Sequence, residues 1–410
     1  MRPALRWLSL VGALLGCSGP GALEAPGAAT QAALVEVSPP PAASDVGEPV
    51  APTASPSSAP EAAQHPPRAT RVELTFVGDI VFGGHFRGTW YPVDVPREDP
   101  LAEVSGLLAS DLAVGNLETT LLEELPKDAG DRLFAATSDQ AAVLVRHGLR
   151  ALSIANNHIH DFGAEGLMKT PSLLAGVGAR ALGAPQADGS PFRVETVTVK
   201  DWKVGFVAAT ARLNIPQRRD AAVTVPFARD EKLVPALVPL IREARASHDL
   251  VIVVAHWGEE YESEPRPWQI DAAHAFIDAG ADAVVAHHPH VLQPIERYQD
   301  GIIAYSLGNF VFPNVRATSR DTGVLRLGFS RAEPERERSA AAPAGACLDH
   351  AEFSPAMMRR HKKHYAPEPL TGKAAEKLLR RLARASSRAP HATDWTLDGD
   401  RMVTRAACAP

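Results

Sequence analysis

A chain of 410 residues that is 45% hydrophobic and 22% charged carries enough apolar side chain for a large core, and its length permits one to three domains. Its formal net charge of -6 leaves no polycationic surface for nucleic acid, so an anionic substrate must be met by local charge or by metal. The three cysteines, Cys17, Cys347 and Cys408, lack the close pairing of a zinc ribbon.

The chain opens with Arg2 and Arg6, continues in an apolar run from Trp7 to Leu15, and reaches Leu14-Leu15-Gly16-Cys17, the layout of an export signal over residues 1–16. The apolar run is well short of the roughly 20 residues needed to span a bilayer. It resembles the lipobox of bacterial lipoproteins, which implies that Cys17 becomes the lipidated, membrane-anchored first residue of the mature chain; secretion with a chance cysteine is the alternative. Ser18 stands where some lipoproteins carry an inner-membrane retention aspartate, which points to a periplasm-facing protein of the outer membrane. In such a compartment Cys347 and Cys408 can pair, closing a long loop worth up to roughly 4 kcal/mol, or remain two free thiols.

Residues 17–70 are Pro, Ala, Ser, Gly and Glu with almost no large apolar side chain, as in Pro39-Pro40-Pro41, and predict a disordered tether. A folded domain is expected over 71–332. It starts with a strand that ends at Asp79 and continues through a helical pattern at 101–110, the run Leu112 to Glu118, a helix at 138–147 and a strand at 151–155. The runs 192–199 and 204–209 flank a turn-like Lys200-Asp201-Trp202-Lys203 and predict a hairpin, hence a mixed sheet. A helix at 235–246, with Leu237, Leu240, Ile241 and Ala244 on one face, leads into the β-branched run 250–256. A second helix at 270–279, closed by Gly280, leads into 283–288. The runs 301–310 and 322–329 supply the last strands. Residues 333–410 turn polar and predict an extension with one helix at 372–384.

Several buried-looking strands end abruptly in polar groups. The clearest is Ala151-Leu152-Ser153-Ile154-Ala155-Asn156-Asn157-His158-Ile159-His160-Asp161; the others end at Asp79, at His256 and at His287-His288-Pro289-His290. In open α/β sheets ligands bind beyond the C-terminal ends of strands, where loops converge on a rigid edge. Imidazole nitrogens with carboxylate and amide oxygens, and no thiolate, suit one or two Mn, Fe or Zn ions, and two such ions can hold a phosphate between them. Singly the motifs are weaker: Gly78-Asp79 reads equally as a turn or N-cap, and Asn116 with Glu118 as helix-start chemistry.

The segments Phe76-Val77-Gly78-Asp79, Gly115-Asn116-Leu117-Glu118, Ala155-Asn156-Asn157-His158, His256-Trp257-Gly258-Glu259-Glu260-Tyr261, His287-His288-Pro289-His290-Val291-Leu292-Gln293-Pro294-Ile295-Glu296 and Tyr305-Ser306-Leu307-Gly308-Asn309-Phe310 resemble the CapA (PgsA) family of poly-γ-glutamate capsule proteins, over about residues 73–329. That family is related to the calcineurin-like metallophosphoesterases. The resemblance implies an α/β sandwich of two mixed sheets flanked by helices, with metals at one edge. It implies Asp79, Glu118, Asn157, His256, His288 and His290 as metal ligands and His158 as the acid that protonates a leaving group. Asn116, Glu259, Tyr261 and Asn309 are expected to line the substrate site, with His160 and Asp161 in support.

Two departures stand out. Phosphoesterases carry Asp-x-His in the first motif, where this chain has Val81, with His85 a distant substitute; Glu118 also replaces an aspartate, one methylene longer. The leading expectation is a metal-dependent, phosphoesterase-like hydrolase of surface-polymer metabolism, working with capsule-synthesis machinery. The alternative is a non-catalytic lipoprotein that binds or helps export an anionic surface polymer.

Overall fold

The computed structural model describes residues 69–86, 89–90, 93–94, 97–126, 133–185, 190–215, 224–313, 315–331, 346–362 and 364–405, with backbone alone at 85–86 and 89–90. The expected export signal, the tether up to residue 68, Cys17 and Cys408 lie outside these residues, as does the side chain of His85, whereas Ala69 and Thr70 are bonded to Trp202 and Arg331 of the folded domain. In chain order the main strands are β1 (Arg71–Ile80), β2 (Leu112–Leu117), β3 (Leu149–Ser153), β4 (Arg180–Leu182), β5 (Glu195–Val199), β6 (Trp202–Thr210), β7 (Leu250–His256), β8 (Ala283–His287), β9 (Ile295–Tyr298), β10 (Gly301–Ala304), β11 (Asn309–Val311), β12 (Asp321–Arg331), β13 (Ala346–His361), β14 (His364–Pro369), β15 (Thr396–Asp398) and β16 (Arg401–Arg405). Among the described residues they form a ten-stranded sheet in the order β15-β16-β13-β12-β1-β2-β3-β4, with β11 beside β1 and β14 beside β13, and a six-stranded sheet β9-β10-β8-β7-β6-β5. Both are mixed: β1 to β4 run parallel, as do β6, β7, β8 and β10, while β12, β5 and β9 run against their neighbours.

Side-chain alternation decides the layers. Along β7, Leu250, Ile252 and Val254 enter a core shared with Leu74, Phe76 and Val114 of the large sheet, so the two sheets pack face to face. Val251, Val253 and Ala255 point the other way, onto α3 (Leu233–Arg245) and α4 (Pro267–Asp278). The outer face of the large sheet is covered by α1 (Ser138–Arg146) and α2 (Gly163–Gly176) through Leu144, Leu167 and Leu174. The architecture is therefore an α/β sandwich of two mixed sheets flanked by helices, as the sequence implied. The 192–209 hairpin is present as β5 and β6, antiparallel across Lys200 and Asp201. Pro267 at the first turn of α4 and Gly280 just past its end, at φ 111°, set the bounds of that helix.

The run 301–310, expected as one strand, is two. The chain leaves β10 in the small sheet, turns at Gly308 with φ 71°, and continues as β11 in the large one, where Asn309 pairs with Asp79. This crossing requires Gly78. A Cβ there would lie 2.0 Å from the Gly308 carbonyl oxygen, and the Asp79 N–H donates to that same oxygen at 2.9 Å. Gly78→Ala is expected to cost about 3 kcal/mol or more, read as a fall in the denaturant midpoint, because the obstacle is backbone and cannot rotate away.

The C-terminal segment corrects the sequence expectation most. Residues 346–405 are not a polar extension: β13 and β14 continue the large sheet beyond β12, followed by β16 and β15. The expected helix is present as α5 (Gly372–Ser386), whose Ala375, Leu378, Leu379 and Leu382 enter the core between the sheets while its lysines and arginines face solvent. Cys347, on β13, is disulfide-bonded. No helix among the described residues is long and apolar enough to cross a membrane.

Candidate metal centre

Parallel strands place their C-terminal ends at a common edge, and here the edges of both sheets meet. His287, the last residue of β8, donates from Nε2 to the Val77 carbonyl of β1 at 3.0 Å, which ties the small sheet to the large one beside the cluster. Asp79 from β1, Asn116 from β2 and Glu118 just after it, Asn157 and His158 after β3, His256 from β7, and His288 and His290 after β8 are all buried. Potential ligand atoms of Glu118, His288 and His290 lie within 4.8 Å of one another, and so do those of Asp79, Glu118 and His256.

A hydrogen-bond chain holds the cluster. The Asn116 amide donates to Asp79 Oδ1 at 2.9 Å and approaches His256 Nδ1 at 3.3 Å. On its far side His256 Nε2 lies 2.8 Å from Asn157 Oδ1, and Asn157 Nδ2 donates to Asn214 Oδ1 at 3.0 Å. His290 Nδ1 sits 3.1 Å from Asp79 Oδ2 and 3.0 Å from Asn309 Oδ1. His288, His290 and Tyr261 all adopt positive φ, 96°, 58° and 66°, a strained backbone for residues with side chains. Such strain costs on the order of 1 to 3 kcal/mol each and is concentrated at functional sites.

Glu118 is the exception to this satisfied network. Both of its carboxylate oxygens are buried with no hydrogen-bond partner, although a lone carboxylate in such a place is costly. Burial, reinforced by the charges of Asp79, Glu260 and Asp161, pushes its carboxyl well above the usual range. Burial likewise drives His256 far below an ordinary imidazole and His288 down to about 3. The 3.7 Å approach of His256 to Glu118 therefore joins two groups whose charged forms burial disfavours. For Asp79 burial acts upward, but the hydrogen bond and charge of His290, the charge of His287 and the Asn116 hydrogen bond outweigh it and hold the group down. Imidazoles around carboxylates and an orphaned carboxyl form a donor set that would fit a divalent cation, since such an ion favours the deprotonated carboxylate and the neutral imidazole together.

His158 stands beside this cluster in a mount of its own. Its Nδ1 is 2.7 Å from Asp161 Oδ2, its backbone N–H donates to Asn156 Oδ1, and its ring stacks on Phe134 at 3.9 Å. Asn214 Nδ2 reaches Nε2 at 3.2 Å. Asp161, expected in support, also accepts the Phe134 N–H at 2.8 Å.

The residues expected to line a substrate site divide. Asn116 and Asn309 are buried, and their amides bond Asp79, His256 and His290, which orients those neighbours. Glu259 is exposed and paired with Arg212 at 2.7 Å, while the Tyr261 ring lies 6.0 Å from His290 with the Arg316 guanidinium 3.8 Å above it. Three contributors are given no role by the sequence reading. Asn156 bonds Asn116 Oδ1 and the Leu117 carbonyl, Asn214 bridges Asn157 and His158, and Arg212 anchors Gly258, Asp230 and Glu259. The signal for Arg212 and Asn214 was available, since β6 too is an apolar run that ends in polar residues.

Where a first-motif histidine would stand, Val81 is fully buried in an apolar cluster with Phe134, Phe312, Val315 and Met358. Val81→His is expected to destabilise the metal-free protein by about 2 kcal/mol, seen in chemical denaturation, because it buries an unpartnered imidazole in that cluster.

Fold and cluster together define an α/β sandwich protein with a candidate metal centre at the joined edges of its sheets. A family model described as "Bacterial capsule synthesis protein PGA_cap" matches residues 73–314, and the chain belongs to that family. It is 31% identical over 270 residues to the PGA biosynthesis protein CapA of Bacillus subtilis (strain 168), covering 63% of this chain and 68% of that one. It is 32% identical over 277 residues to the capsule biosynthesis protein CapA of Bacillus anthracis, covering 62% and 63%, so the chain spans less than two thirds of that relative. Among solved structures, a hypothetical protein from Thermus thermophilus aligns with a TM-score of 0.37 at 17% identity, over 73% of this chain and 98% of that one.

Proposed function

We propose that this protein is a metal-dependent hydrolase, phosphoesterase-like in chemistry, that serves the synthesis of a poly-γ-glutamate capsule or another surface polymer. The observation that carries the proposal is the orphaned Glu118 carboxyl, buried among His256, His288, His290 and Asp79. Family membership and the capsule and PGA biosynthesis roles named for the Bacillus relatives support the polymer.

Asp79, Glu118, Asn157, His256, His288 and His290 would hold one or two divalent ions of the Mn, Fe or Zn type. Such ions polarise a phosphoryl or carbonyl oxygen and lower the pKa of water. The chain's own residues do the rest. An ionised Asp161 can only accept, so it keeps a proton on His158 Nδ1 and leaves Nε2 to accept from the Asn214 amide; where a leaving oxygen displaces that amide, a proton on Nε2 can pass to it. Tyr261 and Arg316, with Glu259 and Arg212, form the rim that a polymer would meet first. Export, acylation of Cys17 and the tether over 17–70 would hold the domain off the outer membrane, where it would meet its substrate and the capsule-synthesis machinery.

A second reading, a non-catalytic lipoprotein that binds or helps export an anionic polymer, is favoured by one observation: the apolar cluster at Val81 stands where a ligand is usual. To separate the two, metal is counted in the purified protein and phosphomonoesters and phosphodiesters are assayed beside His158→Ala and His288→Ala. A turnover untouched by both substitutions, or no bound metal, sinks the enzyme. Metal and polymer binding without turnover selects the second reading.

A further inference from the structure

Away from the strand ends, three groups from three elements converge on the outer flank of the small sheet: His274 on α4, Glu296 on β9 and His391 after α5. Their potential ligand atoms lie within 4.8 Å of one another. We propose that they form a second metal site, for one zinc-class divalent ion, that fastens the C-terminal segment to the small sheet.

The spacing fits a tetrahedral ion. With metal to nitrogen bonds of about 2.0 to 2.1 Å, neighbouring donor atoms lie roughly 3.3 Å apart and the centroids of two ligating imidazoles roughly 5 Å apart. His274 Nε2 is 3.1 Å from Glu296 Oε1, and the His274 and His391 rings are 5.2 Å apart at 73°. The rings of the first cluster have similar separations, 4.8 Å for His256 with His288 and 5.7 Å for His288 with His290.

The surroundings hold these donors in place. The fully buried Glu296 accepts from the Tyr305 hydroxyl at 2.6 Å and from the His391 backbone N–H at 2.9 Å. The Tyr305 hydroxyl is on Oε2 while His274 and the His391 N–H share Oε1, so an ion would take the Oε1 position that the His274 N–H now fills. Tyr298 stacks on His274 at 3.9 Å and meets His391 edge-on at 4.7 Å, fixing both planes. Two imidazoles and a carboxylate without thiolate suit zinc, and the exposed His391 leaves a fourth position open to water. On binding, the neutral ring adopts the tautomer with its single proton on Nδ1, which frees Nε2 for the ion. The ion would reinforce the bonds of Arg297 N–H to Thr393 and of Trp395 to the Ile295 carbonyl, which already join this segment to β9. His274 and Glu296 lie inside the family match at 73–314 and His391 outside it, so the site would join the matched part of the chain to the segment beyond it.

The test uses the full chain, stripped with chelator, reloaded with zinc alone and dialysed, comparing the parent with His391→Ala, His274→Gln and Glu118→Gln. His391→Ala, an exposed substitution, should bind one zinc fewer and lose part of the zinc-induced rise in Tm, and His274→Gln should do the same. Cobalt(II) in place of zinc in Glu118→Gln should still give the visible bands of a tetrahedral ion, and these should vanish when His391→Ala is added. Zinc stoichiometry and Tm rise equal to the parent in both histidine variants overturn the proposal. So does a Glu118→Gln protein that binds no zinc. A Glu118→Gln protein with undiminished zinc counts against the first centre instead, and leaves this one intact.

Discussion

Glu118→Gln protein folds but binds divalent metal at the strand-end cluster about 100-fold more weakly than the parent, or not at all, in equilibrium dialysis. Glu118 is the group shared by both ligand sets of that cluster, so its loss removes a charge from each. The substitution is nearly isosteric, and in the metal-free state it replaces a carboxyl with no partner, so the fold should not suffer. It should gain at high pH. The folded-state pKa of Glu118 is raised by burial and by the charges of Asp79, Glu260 and Asp161. The folded chain therefore binds this proton more tightly than the unfolded chain, and metal-free stability falls as pH climbs from the unfolded value through the folded one. Metal-free parent protein should show that decline in denaturant melts taken across the pH range, and Glu118→Gln should show less of it. A parent whose stability rises steadily over the same range would contradict the burial argument.

The strand ends were legible because a strand buried on both faces can carry polar residues only where it leaves the sheet. Asp79, Asn157, His256 and His288 each follow such a run, and the fold brings them to one edge. The buried amides were harder. Nothing in the neighbourhood of Asn116 or Asn309 says whether the side chain faces a ligand or another residue, since that depends on which strand of which sheet stands opposite. Here the opposing groups are His256 and His290, 140 and 19 residues away in the chain. The tail was misread for another reason. Along β13 the buried Ala346, Leu348, Ala351 and Phe353 alternate with Cys347, Asp349, His350 and Glu352, but the register shifts opposite Gly328 and Phe329 and breaks the period. A half-buried strand with a bulge looks polar when its period is not followed across the break.

His158→Ala should lower kcat by roughly 100- to 10,000-fold on phosphoesters with poor leaving groups, such as alkyl phosphates, and far less on p-nitrophenyl phosphate. The asymmetry follows from the role assigned to the ring: an alkoxide needs a proton as it departs, whereas p-nitrophenolate leaves without one. Asp161→Asn should reproduce much of the same pattern with the imidazole still present. The carboxylate 2.7 Å from Nδ1 holds that proton, while an amide can present its own N–H to Nδ1 and force the proton onto Nε2, leaving a neutral imidazole that is a poor acid. Asp161 also accepts the Phe134 N–H, and Phe134 stacks on His158, so the substitution loosens the mount as well as the tautomer. Tm separates the two effects: a small shift with a large, leaving-group-dependent loss assigns Asp161 to positioning His158. Equal losses on both substrates in His158→Ala would instead place the imidazole in binding and remove it as the acid.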